Sequence, residues 1–211
     1  MTLRAKVWTA ALEDLTRVGA HAVAAGLALA SGGNLSVRRA GSPEFVVTGR
    51  GTFLDRLAPD SFALMNLDGE TLDGVDPSSE WKLHQRTYLA RPDITAIVHL
   101  HPQHVVLLDA LGKRIRQLTL DHVAYVPVIN RIPFYPNGSD ELADAAADAS
   151  IGCDCVVLGN HGCSTLSTSM DDAYRKAQNL ESAAIATYRM LLLGDETTEF
   201  PRELRAAAIH R

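Results

Sequence analysis

Ile94-Thr95-Ala96-Ile97-Val98-His99-Leu100-His101-Pro102 is an apolar, β-branched run that closes on two histidines and a proline. A strand sends residues i and i+2 to the same face, so His99 and His101 present two imidazoles to one point while Leu100 faces a core. Pro102 has no amide with which to continue a central ladder, which puts His101 at a strand end, where clefts form. A His-x-His pair alone fits an ordinary core or surface strand equally well, since buried imidazoles are often satisfied by backbone groups. A second run shifts the balance. From Cys155 a β-branched stretch stops at Gly159, and His161 follows just before Gly162. Two strand ends bearing histidine make a three-imidazole cluster, and three protein ligands with an open position is the usual plan of a catalytic zinc.

Just upstream, residues 76 to 93 (DPSSEWKLHQRTYLARPD) carry a helix signature, with Ser78 or Ser79 as cap, Glu80 in the first turn and Pro92 as terminator. That helix runs directly into the histidine strand, so antiparallel packing would bring Glu80 to the His99 end. Capping and dipole compensation also account for a glutamate at this position. His84, four residues further along the same helix face, either steadies that carboxylate or simply packs.

Farther out, Val7, Leu12, Leu15, Val18 and Val23 recur at helical spacing between about Lys6 and Leu29, and this helix ends near Gly26. Ser31-Gly32-Gly33-Asn34 turns into a strand, Glu44 to Thr48 forms another, and Phe62 to Gly74 reads as a hairpin turning at Asp68-Gly69. Gly138 to Gly152 holds a helix capped by Ser139. Met170 to Leu193 is a long helix with Asp171 and Asp172 where the macrodipole favours acids. The tail from about residue 195 is polar, with room for a short helix. Helices set among clusters of hairpin-connected strands predict a single α/β domain over 1–211, built on a mixed, largely antiparallel sheet.

With 46% hydrophobic and 21% charged residues, the 211-residue chain has globular proportions and can bury a core without disulfides. A net charge of -5 and a pI near 5.9 give no general attraction to nucleic acid or anionic membrane. The one dense basic stretch, Lys113-Arg114-x-Arg116, fits an exposed turn. No apolar run approaches the roughly 20 residues that span a bilayer. Acidic residues stand where a signal peptide would be apolar, so a cytoplasmic protein is expected. Cys153, Cys155 and Cys163 are odd in number, which argues against a disulfide framework. The first two lie on an expected buried strand, where free cysteine acts as a small hydrophobe rather than a metal ligand.

The Ser78-Ser79 pair opens its helix with free amides that favour an anion. The turns Ser31 to Asn34 and Thr48-Gly49-Arg50-Gly51 add hydrogen-bonding side chains and glycines that permit close approach. Together they suggest a phosphate cradle without a Walker-type lysine. His21, His104 and His210 have no evident partner.

The ordered set GGNLSVR (32–38), VVTGRG (46–51), PSSEW (77–81), VHLHP (98–102) and NHG (160–162) resembles the class II aldolase and adducin-head family, within it the fuculose-phosphate aldolase branch. The likeness runs from about Leu12 to Leu193. It implies a three-layer α/β/α fold, a four-fold homotetramer with active sites between neighbouring subunits, and a zinc ion, another divalent metal being the alternative. By position it implies Glu80, His99, His101 and His161 as metal ligands and Glu80 also as base. It assigns Ser31, Asn34, Thr48, Gly49, Ser78 and Ser79 to phosphate. The family's proton-donating tyrosine comes from the neighbouring subunit; here Leu120 to Val128 offers His122 or Tyr125, and His122 reads equally as a core histidine. The implied activity is reversible cleavage of a sugar 1-phosphate, such as L-fuculose 1-phosphate or a deoxypentulose 1-phosphate, to dihydroxyacetone phosphate and a short aldehyde through a metal-stabilised enediolate. Related epimerases typically carry aspartate where Glu80 stands, which favours aldol cleavage. Epimerisation or dehydration on the same fold, and a non-catalytic adducin-like binding module, are the other readings. The stretch beyond Leu193 has no tyrosine, which leaves the aldehyde preference open.

Overall fold

The computed structural model describes residues 3–209. Its strands are β1 Asn34–Arg38, β2 Glu44–Thr48, β3 Phe62–Asn66, β4 Thr71–Gly74, β5 Ala96–Leu100, β6 Asn130–Ile132, β7 Cys155–Leu158 and β8 Gly162–Ser167. They form one sheet in the order β4-β3-β2-β1-β5-β8-β7-β6. Every pairing is antiparallel except that of β6 with β7, the mixed sheet expected from the hairpin-rich sequence. The histidine strand β5 lies inside the sheet, between β1 and β8, with all its residues buried.

Strand alternation sorts the helices into two layers. Ala96, Val98 and Leu100 of β5 join Leu35 and Val37 of β1 against α1 (Leu3–Ala24) and α6 (Met170–Leu192), through Leu15, Val18, Ala173 and Ala177. Ile97 instead packs with Phe45, Val47, Met65 and Tyr88 on the face covered by α2 (Trp81–Ala90). α3 (Gln103–Ala110) contributes Val105 and Leu108 to the α6 side, while α5 (Asp140–Ala149) contributes Leu142 and Ala146 to the α2 side. Burying each such Leu or Ile contributes about 1.5–3 kcal/mol. His99 follows Ile97 by two residues, so its ring lies on the α2 face.

Ser139 accepts the Leu142 amide as the cap of α5, and Ser169 accepts the Asp172 amide as the cap of α6, both with acids in the first turn. Two helices, α3 and α4 (Leu120–Tyr125), have no counterpart in the periodicity of the sequence. The tail folds as a 3-10 turn, Arg202–Leu204, followed by α7 (Arg205–Ile209); His210 lies outside the described residues. Among the described residues no helix is long and apolar enough to cross a membrane.

Candidate metal centre

Four side chains converge: Glu80 ahead of α2, His99 in β5, His101 just past it, and His161 in the β7–β8 turn. One donor atom from each lies within 4.8 Å of the others. His99 Nε2 is 3.0 Å from His101 Nε2 and 3.1 Å from Glu80 Oε2, and His161 Nε2 is 3.3 Å from Glu80 Oε1. The Nδ1–H of His99 donates to the Cys163 carbonyl at 3.0 Å, which fixes the tautomer and turns the Nε2 lone pair into the cluster. Glu80 is 3% exposed, and its Oε1 accepts no hydrogen bond. A buried carboxylate oxygen in that state is costly unless a positive charge meets it. Three imidazole nitrogens and one carboxylate oxygen are a zinc-type donor set, so these residues fit a divalent cation.

Local chemistry explains each placement. Ser78 Oγ accepts the Glu80 amide at 3.2 Å and the helix starts at Trp81. Glu80 therefore occupies the capping position rather than the first turn, and its side chain is free to leave the helix axis. Leu158 pairs with Gly162 across a tight turn in which Asn160 takes φ 52, a left-handed value that asparagine tolerates well. His161 is carried at the tip of that turn. Gly162 has to lack a side chain, because a Cβ there would stand 2.3 Å from the Leu100 carbonyl oxygen and 2.7 Å from His101 Cδ2. Gly33, at φ 81, likewise sits where a Cβ would approach the His99 carbonyl oxygen to 2.9 Å.

The helix after His101 is anchored from across the core. Glu181 of α6 accepts the amides of His104 and Val105 at 3.1 Å each and meets His104 Nδ1 at 2.8 Å. It thus satisfies amides that the first turn of α3 leaves open. His104, without an evident partner in the sequence, has this one. Nothing in the sequence marks Glu181, which reads as one of many polar residues along a long helix.

Burial lowers His101 to about 3 and His161 to about 4, helped by the neighbouring His99 ring and opposed by the charge of Glu80. Both rings are therefore neutral at ordinary pH, the state in which an imidazole can bind a cation. Burial by itself pushes the Glu80 carboxyl up, but the adjacent His99 and His161 rings and the Asn34 amide outweigh it and hold the group below the usual carboxylate range.

Of the residues assigned to phosphate, Thr48 and Ser78 are joined by a bond from the Ser78 amide to the Thr48 carbonyl at 3.0 Å, and Thr48 Oγ1 accepts the Leu35 amide at 3.2 Å. The Gly49 amide donates to Ser61, Ser79 is exposed with its hydroxyl 3.5 Å from Asn137 Oδ1, and Ser31 is exposed. Asn34 is buried and turned toward the four-residue cluster: its Nδ2 donates to Glu80 Oε2 at 2.8 Å and its Oδ1 meets His84 Nε2 at 2.5 Å. His84 reaches Glu80 through Asn34. His122 accepts the Leu118 amide on Nδ1 at 3.2 Å and meets Ser182 Oγ at 3.1 Å, while the Tyr125 ring lies under Arg175 at 5.4 Å. Within one chain these two residues lie outside the four-residue cluster. A cleft of about 1210 Å³ lined by Ile115, Val128, Ile129, Arg131 and Arg205 includes none of the four clustered residues, so it is a feature separate from the cluster.

Comparison with known proteins gives this geometry its family. Residues 13–188 match the model of the class II aldolase and adducin N-terminal domain. An L-fuculose phosphate aldolase of Methanocaldococcus jannaschii is 36% identical over 163 residues, covering 77% of this chain and 87% of the relative. A 3-oxo-tetronate 4-phosphate decarboxylase of Escherichia coli is 28% identical over 201 residues, 93% of each chain. The crystal structure of L-fuculose-1-phosphate aldolase from Thermus thermophilus superposes with a TM-score of 0.77 at 28% identity, covering 88% of this chain and 97% of that one. The chain belongs to the class II aldolase and adducin N-terminal domain family and, like the aldolases it matches, is a lyase.

Proposed function

We propose that this chain is a zinc-dependent aldolase that cleaves a short sugar 1-phosphate, of the L-fuculose or deoxypentulose kind, to dihydroxyacetone phosphate and an aldehyde. The observation that carries the reading is Glu80 Oε1, buried without a hydrogen bond among three imidazole nitrogens. A divalent cation held there supplies Lewis-acid stabilisation of the negative charge that develops beside a carbonyl as a carbon–carbon bond breaks.

The chain's own residues do the rest. His99, His101 and His161 bring no charge of their own as neutral ligands, so a cation keeps its full electrophilicity. The Glu80 carboxylate accepts and returns the proton, and the Asn34 hydrogen bond on Oε2 keeps it aimed. Ser78 and Ser79, just ahead of α2, bind the phosphate with Thr48 and Gly49 at the end of β2 and with Ser31, which supplies positioning energy away from the breaking bond. His122 or Tyr125 serves the site of a neighbouring subunit in a homotetramer. Three unpaired, buried thiols support a cytoplasmic setting.

Decarboxylation of a phosphorylated 3-oxo acid is the second reading, favoured by the decarboxylase that matches over 93% of its length. It needs the same charge stabilisation beside a carbonyl. Incubation of the zinc-loaded protein with L-fuculose 1-phosphate, coupled to detection of dihydroxyacetone phosphate, tests the first reading. Carbon dioxide release from 3-oxo-tetronate 4-phosphate with no cleavage of the sugar phosphates would replace it with the second. A metal-loaded chain inert toward both leaves epimerisation or dehydration, read from the fate of the sugar phosphate.

A further inference from the structure

One polar face runs through the layer between β1 and α2. Asn34, Ser36 and Arg38 alternate along β1 with Leu35 and Val37, and all five are buried. Glu80, at the cap of α2, and His84 and Tyr88 within it recur every four residues. A two-residue step of a strand advances about 6.6 Å and a four-residue step of a helix about 6 Å, so the two rows keep pace over three rungs. The rungs are observed: Asn34 bonds Glu80, Ser36 bonds His84, and the Arg38 guanidinium lies 4.8 Å over the Tyr88 ring.

Diagonal bonds tie the rungs into one file. Tyr88 Oη meets Ser36 Oγ at 2.8 Å, Ser36 Oγ meets His84 Nδ1 at 2.7 Å, and His84 Nε2 meets Asn34 Oδ1 at 2.5 Å. The polarity of this file has one solution. An ionised Glu80 can only accept, so the Asn34 amide nitrogen faces it and the Asn34 carbonyl faces His84. His84 Nε2 must then carry the proton. Its Nδ1, in a neutral ring, accepts from the Ser36 hydroxyl, and Ser36 Oγ in turn accepts from Tyr88.

We infer that Ser36, His84 and Asn34 form an orientation relay for Glu80: His84 locks the Asn34 amide with its nitrogen toward Oε2, and that bond leaves Oε1 as the oxygen presented to a cation. This rests on the reading of Glu80, His99, His101 and His161 as a metal centre. It assigns Asn34 and His84 a positioning role, whereas the family resemblance assigned Asn34 to phosphate. With His84 gone, nothing prevents the amide from turning its oxygen toward the carboxylate, where two acceptors would repel.

The test is zinc affinity by chelator competition, in single and double variants, with thermal melts of the metal-free proteins as the check on folding. His84→Leu is expected to weaken zinc binding by about 10–100-fold, the usual effect of losing an outer hydrogen-bond partner of a ligand. His84→Gln, which can still donate to Asn34 Oδ1, is expected to restore most of it. In an Asn34→Ala background the same His84→Leu change should alter affinity by less than about twofold, the margin within which uncoupled sites add. If His84→Leu does not fold, Ser36→Ala carries the same comparison in the two backgrounds. Equal losses with and without Asn34, or zinc affinity unchanged in a folded His84→Leu protein, would overturn the relay while leaving the metal centre intact. A wild-type chain that takes up no zinc would overturn the metal centre itself.

Discussion

The backbone amide of Asn160 donates to Asp109 Oδ2 at 2.8 Å, so the turn that carries His161 is fastened to α3, the helix that begins just after His101. The other Asp109 oxygen accepts from Arg131 Nε, and the carboxylate is 2% exposed. Asp109 therefore links two histidines of the cluster that are far apart in sequence, through backbone rather than through the imidazoles themselves.

Asp109→Ala should cost about 1–3 kcal/mol in denaturant unfolding, the range for leaving a buried partner unpaired. It should also weaken zinc binding, because the His161 turn loses its tether. A variant as stable as wild type, with unchanged zinc affinity, would show that β7–β8 pairing alone holds the turn.

Glu80→Gln keeps the shape of the side chain and removes the charge and the proton carrier. Turnover of the sugar phosphate should fall by about 10²–10⁴-fold, the usual contribution of a positioned acid-base group. Zinc binding should persist at lower affinity on the three imidazoles. Near-wild-type turnover in this variant would remove Glu80 from the chemistry.

Zinc should stabilise the folded chain. At a free concentration 100 times the dissociation constant, linkage gives about 2.7 kcal/mol. For a chain of this size that is a rise of about 5–10 °C in the melting midpoint, lost on chelation. His101→Ala should abolish most of the rise, and a wild-type midpoint indifferent to zinc would count against the site.

His84 supplies a pH signature in the metal-free protein. Burial, helped by the nearby His99 ring and opposed by Glu80, lowers it from 6.5 to about 3. The unfolded chain thus takes up this proton first as pH falls, so the group's contribution to stability is complete above about 6.5 and drains away toward about 3. At pH 5 the loss amounts to about 2 kcal/mol. Between pH 7 and pH 5 the wild-type midpoint should drop more than that of His84→Gln. Parallel curves would mean that His84 is already protonated in the fold.

The convergence of the three histidines was legible because the rules that place them are local. Alternation sends His99 and His101 to one face, and Pro102 and Gly159 end the strands beside them. The relay was not legible from β1, because Asn34, Ser36 and Arg38 alternating with Leu35 and Val37 is also the pattern of a strand with one wet face. Only the covering by α2 makes that face a buried network. α3 escaped for another reason: Val105-Val106-Leu107-Leu108 is a continuous apolar run with no helical period, although Leu107 is exposed in the fold. α4 has six residues, too few to establish a period. Glu181 became meaningful only when α3 docked its first turn against it.

Gly162 donates nothing to any ligand, yet it is the point at which the centre is most easily lost by inheritance. A single methyl group there would wedge β8 away from β5 and tilt His101, while every donor residue stayed in place. Catalogues of kindred chains that score only the histidines and the glutamate will count such descendants as competent, and assays will find them empty-handed.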